Sequence, residues 1–218
     1  MKIQLKNNQK VFFTSDIHYN HKNLCNGVSN WTDKSKTRPF KTLSEMNDLI
    51  VQNINEMVSE NDYLVINGDL AFGGFENVSV FLDRLHTKNI ILIFGNHDEH
   101  IIKNRDNIQD RFLYAGHYLE LTIEEPLVPN IKKISHTFIL MHFPIVSWNK
   151  IGHGRIHLFG HIHFPSDKKL QQGKSMDIGL DGNDFKPYEM SEILRIMHKQ
   201  PIKGNSMIDE RHEKIEIE

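Results

Sequence analysis

The sequence predicts an α/β fold in which a parallel βαβαβ unit is followed by a second, strand-rich half. In the first half, apolar strand-like runs alternate with helical patterns, an alternation that favours parallel strands joined by helices. From residue 118 onward, short apolar runs are separated by turn-rich segments, which favours a second sheet packed on the first. The length of 218 residues fits one domain with a substantial core, and we expect that domain to span residues 1–198.

The first half begins with a short buried strand and a long polar loop. Residues 10–15 contain the apolar run of the strand, and residues 19–41 are rich in Asn, Lys, Ser and Thr. A loop of this length inside a compact domain is usually functional or disordered. Thr42-Leu-Ser-Glu45 is a capping-box pattern that predicts the start of a helix. The apolar residues that follow at helical spacing are Met46, Leu49, Ile50, Ile54, Met57 and Val58.

Two further strands complete the βαβαβ unit. Residues 63–67 are predicted to form the second strand and residues 90–94 the third. Between them we expect a second helix to follow Asn77, because apolar residues recur there with a helical period. These apolar residues are Val78, Phe81, Leu82 and Leu85.

The second half contains further predicted strands and a last helix. The strands are expected at residues 118–123, 136–141, 156–159 and 175–178, with a turn-rich connection over residues 124–129. Ser191 is a candidate N-cap for a helix that continues to His198. Residues 199–218 are highly charged and poor in apolar residues, which predicts a frayed, charged C-terminal tail or a final edge element.

Composition and charge narrow the functional classes. The hydrophobic (39%) and charged (25%) contents are ordinary for a soluble globular protein, and no apolar run approaches the length of a membrane span. The N-terminus lacks the apolar core of a signal peptide, and the single Cys25 allows no internal disulfide, so we expect a cytoplasmic protein. The net charge of −2 provides no general attraction to nucleic acid or to an anionic membrane.

Polar motifs occur where the apolar runs end. In chain order they are Asp16-Ile-His18, Gly68-Asp69, Gly95-Asn96-His97-Asp98, Met141-His142 and Gly160-His161-Ile-His163. Because the carboxyl ends of strands in an α/β sheet converge on one crevice, these separated motifs are expected to form one site. Together they supply two carboxylates, one amide and several imidazoles, which are enough ligands for two metal ions side by side.

The spacing within the motifs predicts how the ligands are presented. Asp16 and His18 lie two residues apart on a segment predicted to be extended, which would point both side chains the same way. His161 and His163 repeat this spacing. One carboxylate has to bridge two ions about 4 Å apart. Asp69 is the best candidate, because the glycine before it allows the backbone to approach closely.

The ligand chemistry favours certain metals and an anionic substrate. Nitrogen and oxygen ligands without thiolate favour Mn, Fe, Zn or Ni over Ca, Mg or a cluster, and we expect Mn to support activity best in vitro. Two divalent cations and two aspartates leave the site positively charged, which suits a phosphate ester. The metals would lower the pKa of a bridging water from 15.7 toward ~7 and would stabilise the attacking and leaving oxygens.

Three residues are candidates for contact with the substrate. His97 directly follows Asn96, so its imidazole is free to project over the substrate if Asn96 is a ligand. A histidine that titrates near neutral pH can protonate a leaving oxygen, and we therefore expect His97 to be the general acid. His21 and Arg38, in the polar loop, are candidate phosphate contacts. The alternative is that Arg38 pairs with a surface acid and that His21 is solvated.

Four more residues are candidates for a role at or beside the site, and two of them also have a structural interpretation. Trp148, His153 and Arg155, before the last motif, could line the wall of the pocket. The alternative for Trp148 is packing in the core. Asp98 is either a helix N-cap or a partner of the metal ligands.

These motifs resemble those of the calcineurin-like metallophosphoesterase superfamily. The family pattern D-x-H, G-D, G-N-H-D/E, H and G-H-x-H is matched without a gap between about Val11 and His163. The resemblance implies a four-layer αββα sandwich with two mixed β-sheets and a dinuclear metal site at the strand ends. It also implies two ligand sets, Asp16, His18, Asp69 and His163 for one metal and Asp69, Asn96, His142 and His161 for the other.

Departures from the large branches of the superfamily narrow the resemblance. Its protein phosphatases carry G-D-x-V-D-R-G, whereas the segment from Gly68 to Gly74 lacks the second aspartate and the arginine. Its DNA-repair nucleases add a capping domain after the last motif, and about 55 residues follow His163 here, so we expect no extensive surface for duplex nucleic acid. The motifs look more like those of small bacterial and phage phosphoesterases.

The sequence therefore predicts a dinuclear-metal phosphoesterase. We expect in-line attack of a metal-bridging hydroxide on a phosphodiester or phosphomonoester of a small or flexible substrate, such as a nucleotide or cyclic nucleotide. A single-strand nuclease is an alternative that strong salt dependence of binding would favour, although the nearly neutral charge counts against it. A catalytically silent metal-binding interaction scaffold is the other alternative, although such scaffolds typically lose ligands and none is missing here. The pattern makes no prediction of oligomeric state.

Overall fold

The computed structural model describes residues 1–126, 132–163 and 173–202, and its strands form two sheets. The strands are β1 (Lys2–Gln4), β2 (Val11–Thr14), β3 (Tyr63–Ile66), β4 (Asn89–Ile93), β5 (Tyr114–Gly116), β6 (Leu119–Glu124), β7 (Ser135–Leu140), β8 (Ile156–Phe159), β9 (Ser175–Asp177) and β10 (Tyr188–Glu189). The α-helices are α1 (Leu43–Met57), α2 (Phe75–Arg84), α3 (Glu99–Lys103) and α4 (Met190–His198). Short 3₁₀ turns, two of them in the loop between β2 and α1, connect these elements.

The first sheet contains the predicted βαβαβ unit. Its strand order is β10-β2-β3-β4-β5, in which β2 to β5 are parallel and β10 is antiparallel to β2. Helix α1 connects β2 to β3, and α2 connects β3 to β4. The parallel order brings the carboxyl ends of β2, β3 and β4 to one edge of the sheet, which is where the polar motifs begin.

The second sheet is formed mainly by the strand-rich half of the chain. Its order is β1-β6-β7-β8-β9, in which β6 and β7 are antiparallel and the other neighbours are parallel. Both sheets are therefore mixed, and the prediction of an α/β sandwich with two mixed sheets is confirmed.

The first sheet is buried on both faces, and alternate residues of its strands belong to different cores. Phe12 pairs with Leu64, and both join the core that includes residues of α1 and α2. Phe13 pairs with Val65, and both join the core shared with the second sheet. There the ring of Phe13 lies 4.9 Å from that of Phe138 on β7. Since burying one such side chain contributes roughly 2–3 kcal/mol, this double burial anchors the strands that carry the polar motifs.

Two helix starts differ from the prediction, and one agrees. The Thr42 hydroxyl accepts a hydrogen bond from the Glu45 backbone N–H (3.1 Å), as the capping box predicts. Helix α2 begins at Phe75 rather than after Asn77, and its N-cap position is glycine. The last helix begins at Met190, so the prediction of Ser191 as its N-cap was wrong. The Ser191 hydroxyl instead donates to the side chain of Glu189, the residue at the N-cap position.

Three of the four edge strands, β1, β5 and β10, were not predicted, whereas the edge strand β9 was. β1 and β10 have three and two residues, which is too short to show alternation. β5 contains Tyr-Ala-Gly, a sequence of low strand propensity that pairs in parallel with β4. Each of these three strands is stabilised by pairing with a longer, more apolar strand. Because this pairing depends on the tertiary structure, the local sequence gives little indication of the strand.

The ends of two predicted segments lie outside the described residues. Residues 127–129 of the connection at 124–129, and all but the first four residues of the tail at 199–218, belong to the undescribed ranges. Within the described ranges, no helix combines the length and apolarity that crossing a lipid bilayer requires.

A histidine on β8 is fully buried beneath the loop that follows β7. The Nδ1 of His157 donates to the Ile139 carbonyl (3.0 Å), and its Nε2 accepts a hydrogen bond from the Ile145 backbone N–H (3.3 Å). Burial lowers the pKa of His157 to about 4, from 6.5, although the backbone hydrogen bonds oppose the shift. The neutral ring is therefore part of the folded structure.

This burial predicts a loss of stability in acid. Because the folded protein binds fewer protons at His157 than the unfolded chain does, its contribution is complete above pH 6.5 and is lost as the pH falls toward 4. We expect a loss of about 3 kcal/mol by pH 4 from this residue. Urea unfolding of chelator-treated wild type and His157→Gln across that range tests this. The free energy of unfolding of His157→Gln should fall less steeply with decreasing pH than that of the wild type. The control His86→Gln, at an exposed site, should follow the wild type. The same pH dependence in His157→Gln and in the wild type would contradict the assignment.

Candidate metal centre

The predicted ligands converge at the carboxyl edge of the two sheets. Asp16 follows β2, Asp69 follows β3, Asn96 follows β4 and His142 follows β7. His161 and His163 come after β8 in the second sheet, so both sheets contribute to the site. The principle that strand ends meet at one edge therefore accounts for the convergence of residues that are far apart in the chain.

The backbone does not present these ligands as the spacing predicts. Asp16 and His18 have φ values of 55° and 51°, and Asp69, His161 and His163 have values of 55°, 73° and 48°. The prediction of an extended segment at Asp16 and His18 was therefore wrong. Non-glycine residues in this left-handed region are uncommon and cost free energy, and they cluster where function requires a particular side-chain direction.

The first group of ligands surrounds the imidazole of His18. Its Nε2 lies 3.1 Å from the Nε2 of His163 and 3.6 Å from Oδ2 of Asp69. The Nε2 of His163 lies 3.6 Å from Oδ1 of Asp16. Asp16, His18 and His163 have ligand atoms within 4.8 Å of one another, as coordination to a common ion requires.

The second group surrounds the amide oxygen of Asn96. This oxygen lies 3.1 Å from Nε2 of His142 and 2.8 Å from Nδ1 of His161. The same Nε2 of His142 lies 3.4 Å from Oδ2 of Asp69. The structure thus places His161 and His163, two residues apart in sequence, in different groups.

Asp69 contacts a histidine of each group, and Asp16 also lies near both, because its carboxylate clusters with His18 and His163 and with Asp69 and His142. Its Oδ2 lies 3.6 Å from His18 in the first group and 3.4 Å from His142 in the second. Its Oδ1 accepts a hydrogen bond from the backbone N–H of His97 (2.8 Å), which fixes the carboxylate between the two groups. This is the geometry that a bridging carboxylate needs.

The donor set fits two divalent cations. Two carboxylates, an amide oxygen and four imidazoles converge, which is a nitrogen and oxygen set suited to transition metals. Burial lowers the pKa of His18 well below its usual range, and the charge of Arg38 adds to this effect, so its ring is neutral and able to bind a metal. The first group places two ring nitrogens 3.1 Å apart, a contact that a shared cation would stabilise.

Asp69 and His142 shift each other's pKa in opposite directions. Burial would raise the pKa of Asp69, but the hydrogen bond and charge of His142 outweigh it and lower this pKa to about 2. Burial would lower the pKa of His142, and Asp69 raises it to about 9. Because a ligating histidine is neutral, a metal that binds here has to displace a proton from His142.

Asp181 supports the first group, and no motif identified it. Its Oδ2 accepts a hydrogen bond from Nδ1 of His163 (2.7 Å), which leaves Nε2 of that ring directed at the ligand group. Burial would raise the pKa of Asp181, and the charge of Arg38 lowers it far below the usual value. A carboxylate that orients a ligating histidine in this way typically affects metal affinity.

Arg38 is buried, and its guanidinium donates hydrogen bonds to carboxylate and carbonyl oxygens of the protein. Its Nε and one terminal nitrogen donate to Asp181 (2.8 and 3.0 Å), and its guanidinium also donates to the carbonyls of Asp16 and Ile17 (2.6 and 2.8 Å). The arginine therefore ties the polar loop to the first ligand motif. Although it borders the cavity beside the site, these bonds favour a supporting role, and its contact with a phosphate stays a prediction.

Asn67 joins the two sheets behind the second group. Its side-chain amide donates to the backbone carbonyls of Met141 and Leu158 (3.0 Å each), and the backbone carbonyl of Asn67 accepts a hydrogen bond from Nδ1 of His142 (2.8 Å). This leaves Nε2 of His142 for the ligand group. Gly68 follows with a φ of 99°, and a Cβ there would collide with the His142 ring, so glycine is required at this contact.

Asp98 connects two ligand loops. Its carboxylate accepts hydrogen bonds from the backbone N–H groups of Asp69 (2.9 Å), Leu70 (2.9 Å) and Gly95 (2.8 Å). It occupies the N-cap position of α3 but makes no capping hydrogen bond with its side chain. Of the two interpretations, the structure therefore supports a partner of the ligand loops.

His97 and His21 border the site without joining either ligand group. His97 is exposed, and its ring lies 5.5 Å from that of His18. It lines a cavity of about 830 Å³ on one side and another of about 310 Å³ on the other. His21 lines the larger cavity and stacks on Phe72 at 3.8 Å. Burial, followed by the charge of His97, lowers the pKa of His21 to about 4.

The three candidates in the loop before β8 lie outside the larger cavity. Trp148 is buried, and its indole N–H donates to the Arg155 carbonyl (2.9 Å), so the structure supports packing in the core. The guanidinium of Arg155 pairs with Glu120. His153 lies in a 3₁₀ turn, and it is absent from the residues that line the larger cavity.

The role of Asp181 predicts a change in metal affinity. Asp181→Asn should weaken metal binding by about 10- to 100-fold, because the amide orients His163 less strongly and leaves Arg38 without its carboxylate partner. Titration of chelator-treated protein with Zn²⁺, monitored calorimetrically, measures this affinity. Thermal unfolding of the same samples reports the separate loss of stability. Asp184→Asn, three residues away, is the matched control, and an unchanged affinity in Asp181→Asn would refute the role.

Comparisons with known proteins agree with the geometry. The model of the family described as calcineurin-like phosphoesterase matches residues 9–178. The uncharacterized protein MJ1445 of Methanocaldococcus jannaschii is 25% identical over 201 residues, which cover 88% of this chain and 93% of the relative. A crystal structure of AQ665 from Aquifex aeolicus, a protein of unknown function, superposes with a TM-score of 0.57 at 20% identity. That match covers 87% of this chain and 100% of the other, and it supports the fold alone.

Proposed function

We propose, given that the chain belongs to the calcineurin-like phosphoesterase family, that it is a hydrolase that uses two divalent metal ions to cleave a phosphate ester. The observation that carries this proposal is the pair of ligand groups that share Asp69. Two groups that a single carboxylate connects, built from nitrogen and oxygen donors beside an accessible cavity, match the requirements of two-metal hydrolysis.

In this proposal, Asp16, His18, Asp69 and His163 hold one ion, and Asp69, Asn96, His142 and His161 hold the other. When bound, the ions supply an activated water and neutralise charge on the phosphoryl group. Asp98 and Asn67 fix the positions of the ligand loops relative to one another through the hydrogen bonds described above. The protein thus prepares the geometry before substrate arrives, which is the main contribution that a scaffold makes to such a reaction.

His97 is assigned as the general acid. It is exposed beside the first ligand group, its backbone N–H donates to Asp69, and its ring lines the larger cavity, where it would be free to contact a substrate. A proton carried by this ring would pass to the leaving oxygen as the ester bond breaks. Such proton transfer typically contributes 10²–10⁴-fold to the rate.

We further propose a small or flexible substrate, such as a nucleotide or cyclic nucleotide, and a cytoplasmic location. The single cysteine is buried, which is compatible with a reducing compartment. Neither a membrane nor extensive duplex nucleic acid is part of the proposal. Manganese is the metal that we expect to support turnover best in vitro, with Fe, Zn and Ni as the other candidates.

The reaction class is tested with two chromogenic esters. Manganese-loaded protein is assayed with bis-p-nitrophenyl phosphate and with p-nitrophenyl phosphate, before and after chelation. Hydrolysis of the diester would define a phosphodiesterase, and hydrolysis of the monoester alone would define a phosphatase. The absence of turnover with both esters, in protein that binds two metals, would contradict the proposal and favour the interaction scaffold. Salt-sensitive cleavage of single-stranded oligonucleotides would favour the nuclease alternative.

A further inference from the structure

The larger cavity beside the ligand groups has an aromatic wall. His21 and Phe72 are stacked with an interplanar angle of 9°, and the ring of Trp31 meets His21 edge-on at 5.9 Å. The cavity of about 830 Å³ also includes His97 and His163, so it opens directly on the proposed reaction centre. Its volume lies in the range of pockets that enclose small organic ligands.

Trp31 is exposed although it is the largest apolar side chain in this wall. About 37% of its surface is accessible. Its loop is nevertheless held by hydrogen bonds. The Arg38 backbone pairs with the backbone of Leu24 and Asn26 (2.7 and 3.0 Å), and the Trp31 backbone N–H donates to the Ser29 hydroxyl (3.1 Å). A tryptophan held at the mouth of a cavity offers a flat apolar surface to a ligand.

The rim of the cavity is polar. Asn23, Ser35, Lys36 and Thr37 line the side that lies along the loop carrying Trp31. A flat apolar wall with a polar rim suits a planar ring that carries heteroatoms and a hydroxylated linker. The smaller cavity on the other side of His97 is less suited to bind such a ring. Among its described lining residues Phe72 is the only Phe, Tyr or Trp, and the ion pair between Lys103 and Glu99 borders it.

We propose that the larger cavity is the leaving-group subsite and that it selects a nucleoside, whose base stacks on Trp31. This inference rests on the proposed function, because it places the ester oxygen next to His97. The reaction then transfers the phosphoryl group to water, and the ester oxygen leaves with a proton as the free hydroxyl of the nucleoside. Stacking on an aromatic side chain tolerates different bases, so Trp31 selects a ring rather than a particular base.

The first test compares esters with and without a ring. The matched substrates are adenosine 5′-monophosphate and glycerol 3-phosphate, or adenylyl-adenosine and glycerophosphoglycerol if the enzyme is a diesterase. Trp31→Ala should lower kcat/KM for the adenosine ester by about tenfold or more, chiefly through KM, because the stacking surface is removed. Trp31→Phe should restore most of this loss, and the glycerol ester should react equally with all three proteins. Equal losses for both esters would overturn the proposal.

The second test detects binding without turnover. In ¹⁵N-labelled, metal-free protein, the indole N–H signals of Trp31 and Trp148 are assigned with Trp31→Phe, because the chain has two tryptophans. Adenosine at millimolar concentration should shift the Trp31 signal and leave that of buried Trp148 in place, whereas ribose should shift neither. A shift with adenosine, combined with no cleavage of any phosphate ester by the metal-loaded protein, would sustain a nucleoside-binding site and refute the proposed function. No shift, together with unchanged kinetics of Trp31→Ala, would refute the subsite alone.

Discussion

Asp69→Asn is expected to remove metal binding and turnover together. Asp69 is the residue whose carboxylate oxygen lies within 3.6 Å of ring nitrogens in both ligand groups. An amide at this position keeps the size of the side chain but lacks the negative charge that would bridge two cations. We expect kcat to fall at least about a thousandfold, because the loss affects both ions and the water between them.

The fold should survive this substitution. The amide oxygen of the new asparagine can still accept the hydrogen bond from the His97 backbone, which is the bond that fixes the side chain. Circular dichroism should therefore match the wild type, while metal content measured by mass spectrometry falls. Asp83→Asn, at an exposed ion pair with Arg111, is the matched control and should bind metal and turn over normally. Full activity in Asp69→Asn would exclude the bridging role.

His97→Ala is expected to separate chemistry from metal binding. The imidazole of His97 borders the site but belongs to neither ligand group, so its loss should leave two ions bound. Without a proton donor the leaving oxygen departs as an anion, and we expect kcat to fall by about 10²–10⁴-fold. The comparison with Asp69→Asn thus assigns different roles to two residues that the backbone hydrogen bond connects.

The identity of the leaving group sharpens the test of His97. A nitrophenolate leaves readily without protonation, whereas an alkoxide needs a proton, so His97→Ala should lose much more activity with alkyl esters than with nitrophenyl esters. His86→Ala, an exposed histidine in another part of the molecule, is the control. If His97→Ala lost the same factor in kcat with alkyl esters and with nitrophenyl esters, His97 would act by positioning the substrate and not as the acid.

The convergence of the ligand loops was predictable because each motif ends a strongly apolar strand. Asp16, Asp69 and Asn96 follow strands that are buried on both faces, and such strands are clear in a sequence. Once those strands are parallel, geometry places their ends together. The capping box at Thr42 was predictable for a similar reason, because both partners of its hydrogen bond lie within one helical turn.

Supporting residues were not predictable, because their partners lie far away in the chain. Asp181 meets His163 and Arg38 only after the last strands have assembled, and Asn67 reaches carbonyls of the second sheet. A rule that ligating histidines have carboxylate partners predicts that such an acid exists but not which of the 28 acidic residues it is. The left-handed conformation of Asp16 could not be predicted from the sequence for the same reason. Contacts with surrounding residues impose it, whereas the local backbone preference does not.

The most direct test of the central claim measures metal content and turnover on the same samples. Chelator-treated protein is titrated with Mn²⁺, and each sample is analysed for bound metal and for hydrolysis of both nitrophenyl esters. The account predicts two ions bound per chain, no turnover in the stripped protein, and activity that increases as the second ion binds. Turnover that persists in metal-free protein, or two bound ions with no hydrolysis of any phosphate ester, would contradict it.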